Sequence, residues 1–289
     1  MVTQELKQQI ANDLGEYIKR YSSQNKAATS LKGVSAATVS SIINKNWDKI
    51  SDEMWLKINS QISGAKGWKI CHTSAYESLT LYMDDAKTNS NVMWVTGPAG
   101  IGKSTAAGVF ARENKDVFLL TCSEDMHKGD FIRELAQKIG VRTFGLTIRE
   151  TLQEIIRELV KKRNPLLIFD EGDKLTDSVL YYYISLYNAL EDKCGMIFLS
   201  TEYMSKRVSR GVQKGRKGYD ELESRICRRF VRLDLVNSNE VEGICIANGL
   251  TDKVAIRTVQ REAAECGNDL RRVKKSIHKE LRKLQITVD

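Results

Sequence analysis

Gly97-Pro98-Ala99-Gly100-Ile101-Gly102-Lys103-Ser104 is the stretch on which the reading of this chain turns. It satisfies G-x-x-x-x-G-K-[ST] at every fixed position, with the apolar run Val92-Met93-Trp94-Val95-Thr96 before it and a helical run from Thr105 to Arg112 after it. In a strand–turn–helix setting, glycines let backbone N–H groups converge on phosphate oxygens, and the helix N-terminus adds partial positive charge. Lys103 is then placed to bridge the β- and γ-phosphates, and the Ser104 hydroxyl to coordinate Mg²⁺. The nucleotide-contacting set expected from this stretch is Gly97, Pro98, Ala99, Gly100, Ile101, Gly102, Lys103, Ser104 and Thr105. The competing reading, a glycine-rich turn that only resembles a phosphate loop, must explain strand, helix, Lys and Ser all in place.

Working outward, Leu166-Leu167-Ile168-Phe169 is a short buried-type strand that delivers Asp170 and Glu171 to a sheet edge. Asp170 is expected to hold Mg²⁺ through water, and Glu171 to polarise the attacking water as general base. Met196-Ile197-Phe198-Leu199-Ser200 is a further strand, and the residue at its tip would orient the water or sense the γ-phosphate. Thr201 is the first choice there and Ser200 the second; a hydroxyl that only satisfies a strand end is the alternative. With Val117–Thr121 and Phe230–Asp234 these runs make a set of short apolar strands separated by helical patterns, as a parallel sheet covered on both faces requires. The fold class is α/β with a central parallel sheet. Pro98 and Pro165 fall in turns beside strands, where a helix cannot continue.

The chain's 289 residues exceed one typical domain, and 42% hydrophobic with 28% charged residues is a globular composition, so disorder is not the default. Three regions are expected: 1–66, polar and helical, closing on the linker-like Ser63-Gly64-Ala65-Lys66-Gly67; 67–235, the nucleotide-binding core; and 236–289, a helical lid. Thr147 and Glu150 have capping-box spacing, and Ser238 offers a cap before an acidic first turn. No apolar run is long enough to span a bilayer and the N-terminus lacks a secretory pattern, so a cytoplasmic protein without membrane contact is expected. The cysteines at 71, 122, 194, 227, 245 and 266 form no C-x-x-C, which argues against zinc; Cys122 and Cys194 sit beside apolar runs and read as reduced core residues.

Net charge is +8, but its placement says more than its size. Met204–Arg232 carries ten Lys/Arg against three Asp/Glu, and Leu270–Lys283 seven against one, which leaves the remainder at −5. Such clustering suits a polyanion partner, although basic stretches can also be solvated faces. Lys206, Arg207, Arg210, Lys214, Arg216 and Lys217, with glycines at 211, 215 and 218, read as a mobile basic loop able to track duplex phosphate without reading sequence. Within residues 1–62, helices at about 4–21, 24–31 and 35–44, with a turn at Lys32-Gly33-Val34, match a helix-turn-helix. Ala36, Ala37, Thr38 and Ser41 would then face the major groove, with Asn44, Lys45 and Lys49 near phosphate. That helix carries no Arg, Gln or Asn at its start, which argues against strong base readout, and a helical bundle used for protein contact is the alternative.

The order of phosphate loop, D-E strand, polar-tipped strand, Arg-bearing helix and helical lid resembles the AAA+ ATPases, and within them the MuB-like transposition ATPases related to TnsC and IstB. The matching residues are Gly97–Ser104, Ile168-Phe169-Asp170-Glu171-Gly172-Asp173-Lys174-Leu175 and Glu223-Ser224-Arg225-Ile226, together with the N-terminal helical region. Gly172 and Lys174 stand where that family usually has Ala and His, and Thr201 where Asn is commoner. The resemblance implies ATP as the nucleotide and an AAA+ P-loop core with a small C-terminal lid. It also implies Arg225 as an arginine finger reaching a neighbouring subunit's ATP, with Arg228 and Arg229 as competitors for that role. Arg271, in Gly267-Asn268-Asp269-Leu270-Arg271-Arg272, matches the lid arginine that senses nucleotide state, and Lys128 is a further candidate for DNA contact. The expected activity is an ATPase that oligomerises on double-stranded DNA as a ring or filament, selects target sites and activates a transposase. A helicase loader or replication-initiation ATPase, and an ATP-switched helix-turn-helix regulator, are the rival readings.

Overall fold

The protein is described here by a computed structural model covering residues 4–18, 23–31, 33–62, 68–225 and 230–286. It divides into two compact units, Met1–Ile70 and Cys71–Asp289. The C-terminal helices belong to the second unit, and the expected linker at 63–67 lies outside the described residues. Among the described residues no helix is long and apolar enough to cross a membrane.

The first unit contains α1 (Gln4–Ile18), α2 (Gln24–Ser30), α3 (Ala36–Ile43) and α4 (Asp52–Ile62). Ser35 caps α3, its hydroxyl accepting from Thr38 N at 3.0 Å, and Gly33 supplies a left-handed φ of 67° in the turn before it. Ile10, Leu14, Ala28, Val39, Ile42, Trp55 and Ile58 form the core. Two of these, Trp55 and Ile58, come from α4, an element that the sequence reading did not identify. The Ser51 hydroxyl accepts from Met54 N, and Asp52 and Glu53 sit in its first turn, the usual signals of a helix start.

The second unit opens with α5 (Ser74–Asn89) and continues β1 (Val92–Thr96), α6 (Lys103–Glu113), β2 (Val117–Thr121), α7 (Lys128–Ile139) and α8 (Ile148–Val160). Then follow β3 (Leu166–Asp170), a single 3₁₀ turn (Gly172–Lys174), α9 (Asp177–Leu190), β4 (Gly195–Ser200), α10 (Tyr203–Gln213), α11 (Tyr219–Arg225) and β5 (Phe230–Arg232). The chain closes with α12 (Ser238–Ala247), α13 (Lys253–Ala264) and α14 (Leu270–Ile286). The strands form one parallel sheet in the order β2-β3-β4-β1-β5, with β3 and β4 buried throughout. Parallel strands need crossovers that cover both faces, and this explains why β3 and β4 are continuous apolar runs rather than alternating ones. Trp94, Phe198, Phe169 and Phe131 stack in succession across the sheet, with centroids 4.3, 4.6 and 5.6 Å apart. Register pairs Thr96 with Ser200 and Thr121 with Asp170, so the phosphate loop, the two acids and Thr201 all leave the sheet at its C-terminal edge.

Two local expectations need correction. Lys206–Lys217 is mostly helical: α10 runs from Tyr203 to Gln213, and only a short turn at 214–218 separates it from α11. Met204, Val208 and Gly211 form a buried stripe along α10, and a Cβ at Gly211 would lie 2.5 Å from Cε1 of Tyr219. Gly211 is thus a close-packing glycine, not a sign of mobility. At α12 the cap is Asn237 rather than Ser238, in a capping box with Glu240. The box at Thr147 and Glu150 forms as read.

Candidate nucleotide-binding site

The loop from Gly97 to Gly102 leaves β1 and enters α6 at Lys103. Gly100 and Gly102 take φ values of 79° and 103°, left-handed conformations that an L side chain resists. Gly97 N donates to Ser200 O at 3.2 Å, anchoring the loop to the neighbouring strand. Ser104 and Thr105 are exposed in the first turn of α6, with Ala106 and Ala107 buried behind them. The Lys103 ammonium donates to the carbonyls of Gly97 at 2.7 Å and Pro98 at 2.9 Å, folding back over its own loop. Burial pushes the Lys103 pKa below its usual value and Arg271 pushes it the same way, while Asp170, Asp173 and Glu171 pull it back up. A half-buried ammonium whose acceptors are neutral carbonyls is well suited to receive anionic phosphate oxygens.

Asp170 is 4% exposed, and its Oδ1 accepts from Glu171 N at 3.0 Å. Glu171 itself has a left-handed φ of 55° and is ion-paired with Lys174. A non-glycine residue in that region is a local strain of the kind found at active sites. Thr201 donates its hydroxyl to Asp173 Oδ2 at 2.6 Å, within the same cluster of acids. Ser200, the second choice for the strand-tip role, is committed elsewhere: buried at 1% exposure, it accepts from Trp94 Nε1 at 2.7 Å. Its hydroxyl serves the core.

The start of α14 rests on the phosphate loop. Leu270 N donates to Gly100 O at 2.9 Å, and Arg271 N donates to Asp269 Oδ1 at 2.7 Å. A Cβ on Gly100 would lie 2.5 Å from Oδ2 of Asp269, so only glycine lets the loop pass beneath that carboxylate. Arg271 is exposed and close enough to Lys103 to act on it electrostatically. The structure therefore gathers Gly97–Thr105, Asp170, Glu171, Thr201 and Arg271 around one edge. Asp173 and Asp269 join this edge and went unread, although Asp173 follows Glu171 by two residues and Asp269 directly precedes Leu270-Arg271.

The chemistry of this donor set fits Mg²⁺-ATP. Ser104 supplies a hydroxyl and Asp170 a buried carboxylate, and a hard cation bound with substrate phosphates needs few protein ligands. Among the described residues no cluster of three or more His, Cys, Asp or Glu could hold a metal. Cys122, next to Asp170, is an inert core thiol: burial, reinforced by the Asp170 charge, pushes its pKa up to about 12. Burial raises Cys194 to about 12 and Cys245 to about 11 in the same way.

The other residues read from the sequence have surroundings of their own. Arg225, the last residue of α11, sits 3.6 Å from Glu221 and has its guanidinium 5.1 Å from the ring centroid of Tyr187. Arg228 and Arg229 are outside the described residues. Lys128, Lys206, Arg210, Lys214, Arg216, Lys217 and Lys45 are exposed, whereas Thr38 is half-buried and its hydroxyl lies 2.9 Å from that of Ser35. Arg207 is turned inward, with its side chain 15% exposed and ion-paired with Asp177. This corrects the expectation that it faces DNA: each guanidinium nitrogen already has an internal acceptor.

Residues 86–208 match the protein family described as AAA domain. The Mu-like prophage FluMu DNA transposition protein B of Haemophilus influenzae is 22% identical over 251 residues, spanning 83% of this chain and 85% of that protein. The resemblance to the MuB-like AAA+ ATPases therefore stands, on an AAA P-loop fold of the α/β class. Among solved structures, NtrX from Brucella abortus in complex with ATP aligns with a TM-score of 0.47 at 12% identity, over 86% of this chain and 59% of that one. A Thermotoga maritima RuvB variant aligns with a TM-score of 0.37 at 16% identity, over 71% of this chain and 68% of that one. At these scores neither likeness bears on how the chain works.

Proposed function

We propose that this protein is an ATPase that assembles on double-stranded DNA in its ATP-bound state, marks target sites and engages a transposase, and is released by hydrolysis. The observation that carries the reading is the convergence of Lys103, Asp170, Glu171 and Thr201 at the C-terminal edge of one parallel sheet. Lys103 exchanges its loop carbonyls for β- and γ-phosphate oxygens, and backbone N–H groups of Gly100–Thr105 complete the cradle. Ser104 and Asp170 would hold Mg²⁺, which would supply charge neutralisation at the phosphates. Glu171 leaves Lys174 and accepts a proton from the attacking water. Thr201, held by Asp173, orients that water, and Arg271 reports nucleotide state to the lid.

Arg225, reaching the ATP of a neighbouring subunit, makes turnover depend on assembly; fingers of this kind contribute roughly 10³–10⁵ in rate. Lys128, Lys206, Arg210, Lys214, Arg216 and Lys217 contact phosphate backbone without reading sequence, and Lys45 and Thr38 add contacts from the N-terminal helices. The relationship to a transposition protein B supports a transposase as the partner. The test is Glu171→Gln with a labelled non-specific duplex. Hydrolysis falls by about 10²–10⁴, ATP affinity is kept, and protein–DNA assemblies outlast those of the wild type. Assemblies that dissociate as fast as the wild type's would contradict the assignment.

A further inference from the structure

Arg207 lies at the centre of a partly buried polar network, which Arg216 joins from the surface at 3.8 Å from Asp177 Oδ2. Its Nε donates to Tyr219 Oη at 3.1 Å, its Nη1 to Leu175 O at 2.6 Å and more distantly to Asp173 O at 3.4 Å, and its Nη2 to Asp177. Tyr219 Oη in turn donates to Asp177 Oδ1 at 2.7 Å, and Tyr219 is 2% exposed. The network joins two ends of the molecule's chemistry. Asp173 and Leu175 belong to the segment directly after Glu171, and the Asp173 side chain holds Thr201. Tyr219 is the first residue of α11, and Arg225 is the last.

We propose that Arg207, with Asp177 and Tyr219, is a positioning residue that fixes α11 to the Asp173–Thr201 pair. Nucleotide state read at Thr201 thereby sets where Arg225 is presented to the neighbouring subunit. This rests on the reading of Arg225 as a finger acting in trans. A helix of seven residues is a stiff lever of about 10 Å, so displacement at Tyr219 is carried to Arg225. The far end is held lightly, by the exposed Glu221 and the Tyr187 ring, and the buried Arg225 Nε has no hydrogen-bond partner among the described residues. An arginine so weakly satisfied in its resting place can be redirected by whatever moves the start of its helix. Desolvating a guanidinium is costly unless its donors are met, which makes Arg207 a poor surface cation and a good strut. Its choice of two backbone carbonyls following the catalytic base ties it to the part of the chain that moves if Thr201 changes partners.

The variant to use is Tyr219→Phe, which deletes one hydroxyl and keeps the ring packed on Gly211; Arg207→Lys, which keeps the charge, is the second. Both are assayed as full-length protein for ATP affinity and for turnover on duplex DNA. Affinity stays within about twofold and turnover falls by about tenfold or more, a loss equivalent to about 1.4 kcal/mol in the barrier. Each is then mixed with excess Glu171→Gln subunits, which offer an intact finger but cannot hydrolyse. Tyr219→Phe subunits regain turnover in that mixture because their own sites are sound, and they fail to restore Arg225→Ala subunits, to which they present a misplaced finger. Wild-type turnover by both variants alone overturns the proposal. So does a Tyr219→Phe defect that Glu171→Gln does not rescue while Arg225→Ala is rescued, since the damage then lies within the variant's own site. If Arg225→Ala keeps full turnover, or is not rescued by Glu171→Gln, it is the trans-finger reading itself that fails.

Discussion

Gly100→Ala tests the seating of the C-terminal helices on the phosphate loop, and its cost can be worked from two separable terms. The backbone there has φ 79°, and holding an L residue in the left-handed region costs about 1–2 kcal/mol. The added Cβ would also meet the Asp269 carboxylate, 2.5 Å from Oδ2. Relieving that overlap means displacing Asp269, which accepts from Arg271 N at the start of α14, and overpacking of this kind costs about 1–3 kcal/mol. The single variant is therefore expected to lose about 2–5 kcal/mol in urea unfolding of the full chain and to bind ATP more weakly. In an Asp269→Ala background the steric term disappears and the same substitution should cost only the backbone term, about 1–2 kcal/mol. The double-mutant cycle thus gives a coupling of about 1–3 kcal/mol. Equal penalties in the two backgrounds, within about 0.5 kcal/mol, would refute the contact and with it the route from Arg271 to the nucleotide.

Other expectations follow from the same geometry. Thr201→Val removes the hydroxyl bonded to Asp173 while keeping the shape, so kcat should fall by about tenfold or more with KM nearly unchanged, read from steady-state kinetics. Gly195→Ala places a Cβ 2.6 Å from the Ala86 carbonyl carbon and 3.1 Å from Leu166 Cδ1; backbone cannot rotate away, and urea denaturation should show a loss of about 3 kcal/mol. Asp177 is desolvated, which raises its pKa, but hydrogen bonds from Arg207 and Tyr219 outweigh this and hold it below the usual carboxylate value. Its stabilising contribution is then complete above the unfolded pKa, near 4, and lost as pH falls through the lower folded value. Asp177→Asn should weaken the protein at neutral pH and flatten the acid limb of its stability profile, as followed by thermal unfolding from pH 2 to 7.

The nucleotide edge was legible in the sequence because its signals are local. Spacing within eight residues defines the phosphate loop, and β3 is a continuous apolar run ending in two acids. What escaped depends on partners far along the chain. The inward turn of Arg207 is dictated by Asp177, thirty residues earlier, and the role of Gly100 by Asp269. Charge and glycine content hid the buried stripe of α10, since Met204, Val208 and Gly211 are outnumbered by the basic residues between and after them. The start of α4 was written in Ser51, Asp52 and Glu53, but the polar composition before the linker masked Trp55 and Ile58.

The most direct test of the central claim is ATP turnover measured with and without non-specific duplex DNA, with particle size followed in parallel, for wild type and Arg225→Ala. DNA and ATP together should drive the wild type into large assemblies with stimulated turnover, while Arg225→Ala binds ATP but loses roughly 10³-fold or more in rate. A protein that stays small, hydrolyses regardless of DNA and is indifferent to Arg225→Ala would contradict the account and favour an ATP-switched regulator.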